Sequence, residues 1–176
     1  AQIFIETPYR NGSLLAALRL ALHDLGDPPA GYPPLAQIEF LPTRLRLAPR
    51  EGRAELDEAW AVRVLSLNDV TRFDVRPSWR VRFGAATVRD AGCDACLAGQ
   101  AELGAGFTRA GLLGVADLYA GADVSAEWSS RLSGISDARL RAGLGPGGIL
   151  RLRAGRLAAL VLDARWRWLP GATPDR

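Results

Sequence analysis

The chain has 176 residues, 48% hydrophobic and 23% charged, a balance that excludes intrinsic disorder. No apolar run approaches the roughly 18 residues of a membrane-spanning helix. Net charge is +3, every one of the 22 basic residues is Arg, and 19 acids are interspersed with them, so no clustered basic face forms and no nucleic-acid partner is expected.

Residues 1–22 read as a hairpin: Gln2 to Tyr9, a turn at Asn11-Gly12, then Ser13 to Leu22. The alternative is a strand-loop-helix start, because Leu14 to Leu22 is rich in Ala and Leu, which favour helix. Gly26 to Pro34 is a Pro/Gly loop. Beyond it, alternation with period two dominates. Ile38 and Phe40 alternate with Gln37 and Glu39, and Leu45 and Leu47 with Arg44 and Arg46. Pro49 to Gly52 can turn a hairpin into Trp60, Val62 and Val64, with Arg63 opposite. Asn68 to Pro77 is a longer connection. Trp79, Val81 and Phe83 then alternate with Arg80 and Arg82, and Leu103, Ala105 and Phe107 with Glu102, Gly104 and Gly106. Strands are also read between Ala110 and Ser136, where Gly111, Gly114 and Gly121 oppose a helix. Leu140, Ala142 and Leu144 alternate with Arg139 and Arg141, and Leu150 and Leu152 with Arg151 and Arg153. Gly143 to Gly148 between them reads as a tight reversal. Finally Leu160, Leu162, Ala164, Trp166 and Trp168 alternate with Asp163, Arg165 and Arg167.

These spacings predict one all-β domain over 1–176: an antiparallel meander of about 8–10 strands closing into a barrel or a strongly curved sheet. Each strand has an apolar and an Arg-rich face. In a soluble barrel the apolar face packs inward. In an outer-membrane barrel it meets lipid, and arginines line the lumen, paired with acids such as Glu102, Asp117, Asp123 and Asp163. Alternation alone does not choose. The decisive residues are Arg80/Arg82, Arg139/Arg141, Arg151/Arg153 and Arg165/Arg167, which face either a lumen or bulk water. Tyr9, Trp60, Trp79, Tyr119, Trp128, Trp166 and Trp168 are either interface girdles or core and rim aromatics.

Chemistry has few footholds. His23, Asp24 and Asp27 form the best polar cluster, read as a turn before Pro28 and Pro29 or as a general base or metal site. Cys93 and Cys96 read as a local disulfide in a turn or as free thiols; one Cys pair is half of a zinc site, and a redox pair should open a helix. Gly143 to Gly148 mimics a dinucleotide fingerprint, but only 28 residues follow it, too few for a continuing βαβ unit. No catalytic residue, metal or cofactor is expected.

Three segments carry a resemblance. Arg19 to Leu41 with its His23-Asp24-Leu25-Gly26-Asp27-Pro28-Pro29 core, Ser66 to Gly84, and Cys93-Asp94-Ala95-Cys96-Leu97 followed by the strand to Gly106 together resemble the C-terminal part of Lnb-like bacterial envelope proteins. The resemblance implies a β-rich, barrel-like domain after a periplasmic domain related to lipoprotein acyl transfer. It implies a non-catalytic accessory role in the periplasm or outer membrane of a Gram-negative bacterium. The implied partners are an upstream domain and outer-membrane lipid. The absent Met fits a chain excised from something longer. Separately, Ile3 to Asn11 and Leu14 to Leu18 look like a strand-loop-helix piece of tetrapyrrole-methylase-like rRNA 2′-O-methyltransferases. The rival readings are thus a barrel binding a small apolar ligand and a fragment of an S-adenosylmethionine-dependent enzyme.

Overall fold

A computed structural model describes residues 2–6, 14–23, 25, 35–48, 52–90, 93–131, 139–155 and 158–169. Among these there are nine strands and no helix. They are β1 (Gln2–Glu6), β2 (Leu14–His23), β3 (Ala36–Ala48), β4 (Arg53–Ser66), β5 (Ser78–Asp90), β6 (Cys93–Leu112), β7 (Ala116–Trp128), β8 (Leu140–Ala154) and β9 (Ala158–Arg165). Every strand pairs antiparallel with its sequence neighbours in one sheet ordered β1 to β9. The expected all-β meander is therefore the fold.

The sheet is strongly curled. Arg80 of β5 reaches Asp163 of β9 at 3.4 Å. Strands four apart in a flat sheet lie about 19 Å from each other. Arg165 of β9 likewise reaches Glu102 of β6 at 3.2 Å. Both contacts lie on the Arg-bearing face, so that face is concave.

The first two strands form the expected hairpin pairing, from Gln2 opposite Arg19 to Glu6 opposite Leu15. The Ala- and Leu-rich stretch from Leu14 is a strand because β1 and β3 flank it and supply ladders on both sides. Local propensity yields to that pairing. Gly52, Gly114 and Gly155 have positive φ in the hairpin turns, and Gly111 has it at the end of β6. Tyr9, the Asn11-Gly12 turn, Asp24 and Asp27 lie outside the described residues.

One expectation is overturned. Gly143 to Gly148 is not a reversal but the middle of β8, and the two short strands read on either side of it are one. None of its glycines has positive φ. Gly143, Gly145 and Gly147 alternate on the concave side, opposite Ser125, Asp123 and Gly121. They are small because the concave face is tight there. Pro146 has no N–H to give to β9. Regular pairing of β8 with β9 ends beside it, at Gly147 opposite Arg165, and continues as a lone Leu144–Trp168 bridge.

The same crowding explains Gly106 and Gly121 on β6 and β7. A Cβ on Gly106 would strike the Ala120 carbonyl and the Gly121 backbone, and one on Gly121 would strike the Ala105 carbonyl. Steep curvature brings neighbouring backbone over these positions, and only glycine leaves room.

Candidate functional site

The two faces have exchanged their usual roles. Among buried residues are Glu39, Arg80, Gln100, Glu102, Asp117, Asp123, Glu127, Arg141 and Arg151. Exposed ones include Phe40, Leu45, Phe83, Leu103, Phe107, Val124, Leu144, Leu160 and Leu162. Val62, opposite Phe83 on the convex side, is half-buried. Charges cannot be buried cheaply without partners, and the concave face supplies them strand by strand.

Arg80 and Asp123 form the centre. The Arg80 Nε donates to Asp123 Oδ1 at 2.7 Å, and its Nη2 donates to Oδ2. This two-toothed geometry suits a guanidinium. Arg80 also stands over the Tyr119 ring, 5.5 Å from its centroid. Gly104 and Gly147 lie beneath it: a Cβ on Gly104 would meet Arg80 Cγ at 2.8 Å, and one on Gly147 would meet its Cζ at 3.1 Å. The glycine columns make a floor on which the ion pair lies flat.

Beside it, Arg82 grips Glu102 through two N–H groups, both at 2.5 Å. Glu102 also accepts from Arg165 at 3.2 Å and from Arg167. Arg165 Nε donates to Asp163 at 3.0 Å. Arg82 stacks over the Trp60 ring at 4.2 Å. Further centres lie beside these, and Asp57 on β4 holds both Arg46 at 3.3 Å and Arg89 at 2.9 Å. Glu39 collects Arg19 at 2.7 Å, Arg63 at 3.3 Å and Gln37 at 2.9 Å. Glu127 holds Gln100 at 3.0 Å and Arg141 at 3.1 Å. Asp117 faces Arg151 at 3.5 Å and accepts from the Gly111 N–H at 2.9 Å.

An apolar plug adjoins this network: Leu25, Leu67, Tyr119 and Ile149 pack together, with Leu35 and Leu65 against them. Beside it lies a cavity of about 120 Å³ lined by Glu39, Arg63, Arg80, Arg82, Glu102 and Arg165 among others. Tyr119 Oη, Ser125 Oγ and Trp60 Nε1 are buried polar atoms with no protein partner, which suits an interior that admits water.

The decisive arginines thus divide. Arg80, Arg82, Arg141, Arg151, Arg165 and Arg167 belong to the concave face, buried or half-buried. Arg139 does not: it is exposed with φ of 51° just before β8. Arg153, exposed near the end of β8, keeps the concave parity, pairing with Asp117 at 3.7 Å and reaching the Gly114 carbonyl at 3.3 Å. Alternation breaks down where strands end. The aromatics divide too. Trp79, Trp128, Trp166 and Trp168 are exposed. Trp60 and Tyr119 are buried within the concave network instead, which removes them from any girdle. The expected lumen acids Glu102, Asp117, Asp123 and Asp163 all hold arginines. Glu39 and Glu127 were not among them, although each shares the parity of the Arg face.

His23 lies in β2 opposite Ile38. Cys96 is buried and disulfide-bonded, and the sequence holds one other cysteine, Cys93. Both positions fall in β6 rather than in the turn expected for them. Among the described residues no group of three or more His, Cys, Asp or Glu side chains could hold a metal ion.

Fold and site together define a class: a curled antiparallel sheet with an ion-paired concave face and an apolar convex one. The family model for a domain of unknown function, DUF7840, matches residues 8–174, and the chain belongs to that family. No curated protein and no solved structure matches it.

Proposed function

We propose that this domain is a non-catalytic, membrane-embedded β-barrel portion of a bacterial envelope protein, its convex face in lipid, serving to anchor an upstream domain. One observation carries the reading. Phe83, Leu103, Phe107, Val124, Leu144 and Leu162 are each about half or more exposed on the convex side, while Arg80, Glu102, Asp123 and Arg141 are buried on the other. In water this arrangement discards the hydrophobic driving force. In hydrocarbon it satisfies both faces, and strands of 13 to 15 residues such as β3, β5, β7 and β8 exceed the roughly 9–11 residues needed to cross. The absence of a long apolar helix among the described residues bears only on helical spans. The cavity beside Arg80 is lined largely by charged side chains, which suits an apolar small ligand poorly.

Tryptophan fluorescence tests this. The protein is refolded into vesicles of brominated phospholipid, whose bromines quench indoles within the acyl region. The exposed Trp79, Trp128, Trp166 and Trp168 are expected to be quenched. A variant retaining only Trp60, which stacks on Arg82 inside, is expected to keep its emission. Quenching of the outer tryptophans by aqueous acrylamide but not by bromolipid sinks the proposal.

A further inference from the structure

The connection between β4 and β5 does not stay inside the curl. Strand β6 overhangs β5: Ser78, the first residue of β5, stands opposite Gly106, and β6 runs on to Leu112. The connection covers that bare edge. Val70 N–H donates to the Thr108 carbonyl at 2.8 Å, Ala110 N–H donates to Asp69 Oδ1 at 2.8 Å, and Arg109 Nη1 donates to the Val70 carbonyl. Between this segment and the convex face lies a groove of about 500 Å³. Its walls are Val70, Val75, Phe107, Leu118 and Ala120, with Arg109 at its lip. Phe73 and Leu113, at 96% and 97% exposure, flank it on the same end of the sheet.

Arg109 stands apart in charge. Most described arginines are held by a carboxylate. Among the described residues Arg72, Arg109, Arg131 and Arg139 have none within ion-pair distance, and of these only Arg109 lines the groove. Beyond its bond to the Val70 carbonyl no described carboxylate lies within ion-pair distance of it, and the Asp69 Oδ1 accepts the Ala110 N–H.

We infer that this groove binds one acyl chain of an anionic membrane phospholipid, with the lipid phosphate on Arg109. The inference rests on the lipid-facing reading of the convex face, with which the groove is continuous through Phe107, Leu118 and Ala120. An apolar trough open to the hydrocarbon side, ending three residues before the strand end at a guanidinium that no described carboxylate holds, complements a chain topped by a phosphate. A zwitterionic lipid would present the same phosphate with a compensating cation, and so bind less well.

The test is native mass spectrometry of the full chain in nonionic detergent, titrated with phosphatidylglycerol or phosphatidylcholine. Wild type is expected to retain one phosphatidylglycerol in preference to phosphatidylcholine. R109Q is expected to lose about tenfold in retention, the loss of one charge-assisted hydrogen bond. A120W, which fills the trough from the convex side without touching the ion network, is expected to abolish it. R131Q, at the opposite end of the sheet, is expected to retain lipid as wild type does. Equal retention of the two lipids, or wild-type retention by both R109Q and A120W, overturns the inference. The bromolipid measurement separates the two levels: quenched outer tryptophans without phosphatidylglycerol preference remove the groove alone, whereas unquenched ones remove the lipid-facing reading beneath it.

Discussion

In β7 the concave side reads Asp117, Tyr119, Gly121, Asp123, Ser125 and Glu127, and the convex side reads Leu118, Ala120, Ala122, Val124, Ala126 and Trp128. Tyr119 is 1% exposed and Asp123 2%, against 44% for Leu118 and 55% for Val124. The same backbone therefore carries two opposite solvents' worth of side chains, one residue apart. The difference teaches that polarity here follows the partner available on each side rather than distance from water. On the concave face carboxylates and guanidinia neutralise each other across strands. On the convex face the apolar groups stay exposed among the described residues.

Four experiments press on this contrast, each read as the free energy of unfolding from lipid vesicles by urea titration. The largest effect is expected from Arg80→Leu, which leaves Asp123 buried without its partner and should cost about 3–5 kcal/mol. Adding Asp123→Leu should restore most of it; no restoration would show that the pair does more than neutralise itself. Next, Val124→Arg places a charge on the convex side and should cost about 2–4 kcal/mol if that side is in hydrocarbon. A change within about 0.5 kcal/mol, the usual surface value, would put the convex face in water. Gly106→Ala tests curvature, because its methyl meets the β7 backbone, and should cost about 1–3 kcal/mol. Smallest is Arg53→Ala, which removes an exposed pair with Glu55 and should change stability by less than about 1 kcal/mol.

Much of the fold was legible because a strand exposes its two faces in a strict period of two. Trp79-Arg80-Val81-Arg82-Phe83 announces both its conformation and its two environments. Which face curls inward was not legible, since alternation is symmetric under exchange of lipid and core. It became visible through pairs such as Arg80 with Asp163, whose sequence separation of 83 leaves no local trace. Gly143 to Gly148 misled because glycine serves turns and close backbone approach alike, and only the register opposite Gly121 and Asp123 tells them apart. Trp60 and Tyr119 misled for a related reason. An aromatic near a strand end suits an interface, yet each of these lies under an arginine. The groove at Arg109 left no sequence signal at all, because it depends on β6 outrunning β5.

The sequential strand order has a kinetic consequence. Each ladder joins neighbours along the chain, so the strands can pair one after another with no crossover. The contacts that join β9 to β5 and β6, Arg80–Asp163 and Glu102–Arg165, span 83 and 63 residues. They can form only once the strands from β5 or β6 through β9 have curled. Substitutions at Asp163 and Arg165 should then accelerate unfolding while leaving the folding rate nearly unchanged, marking the last step of assembly as the seam where the ion pairs meet.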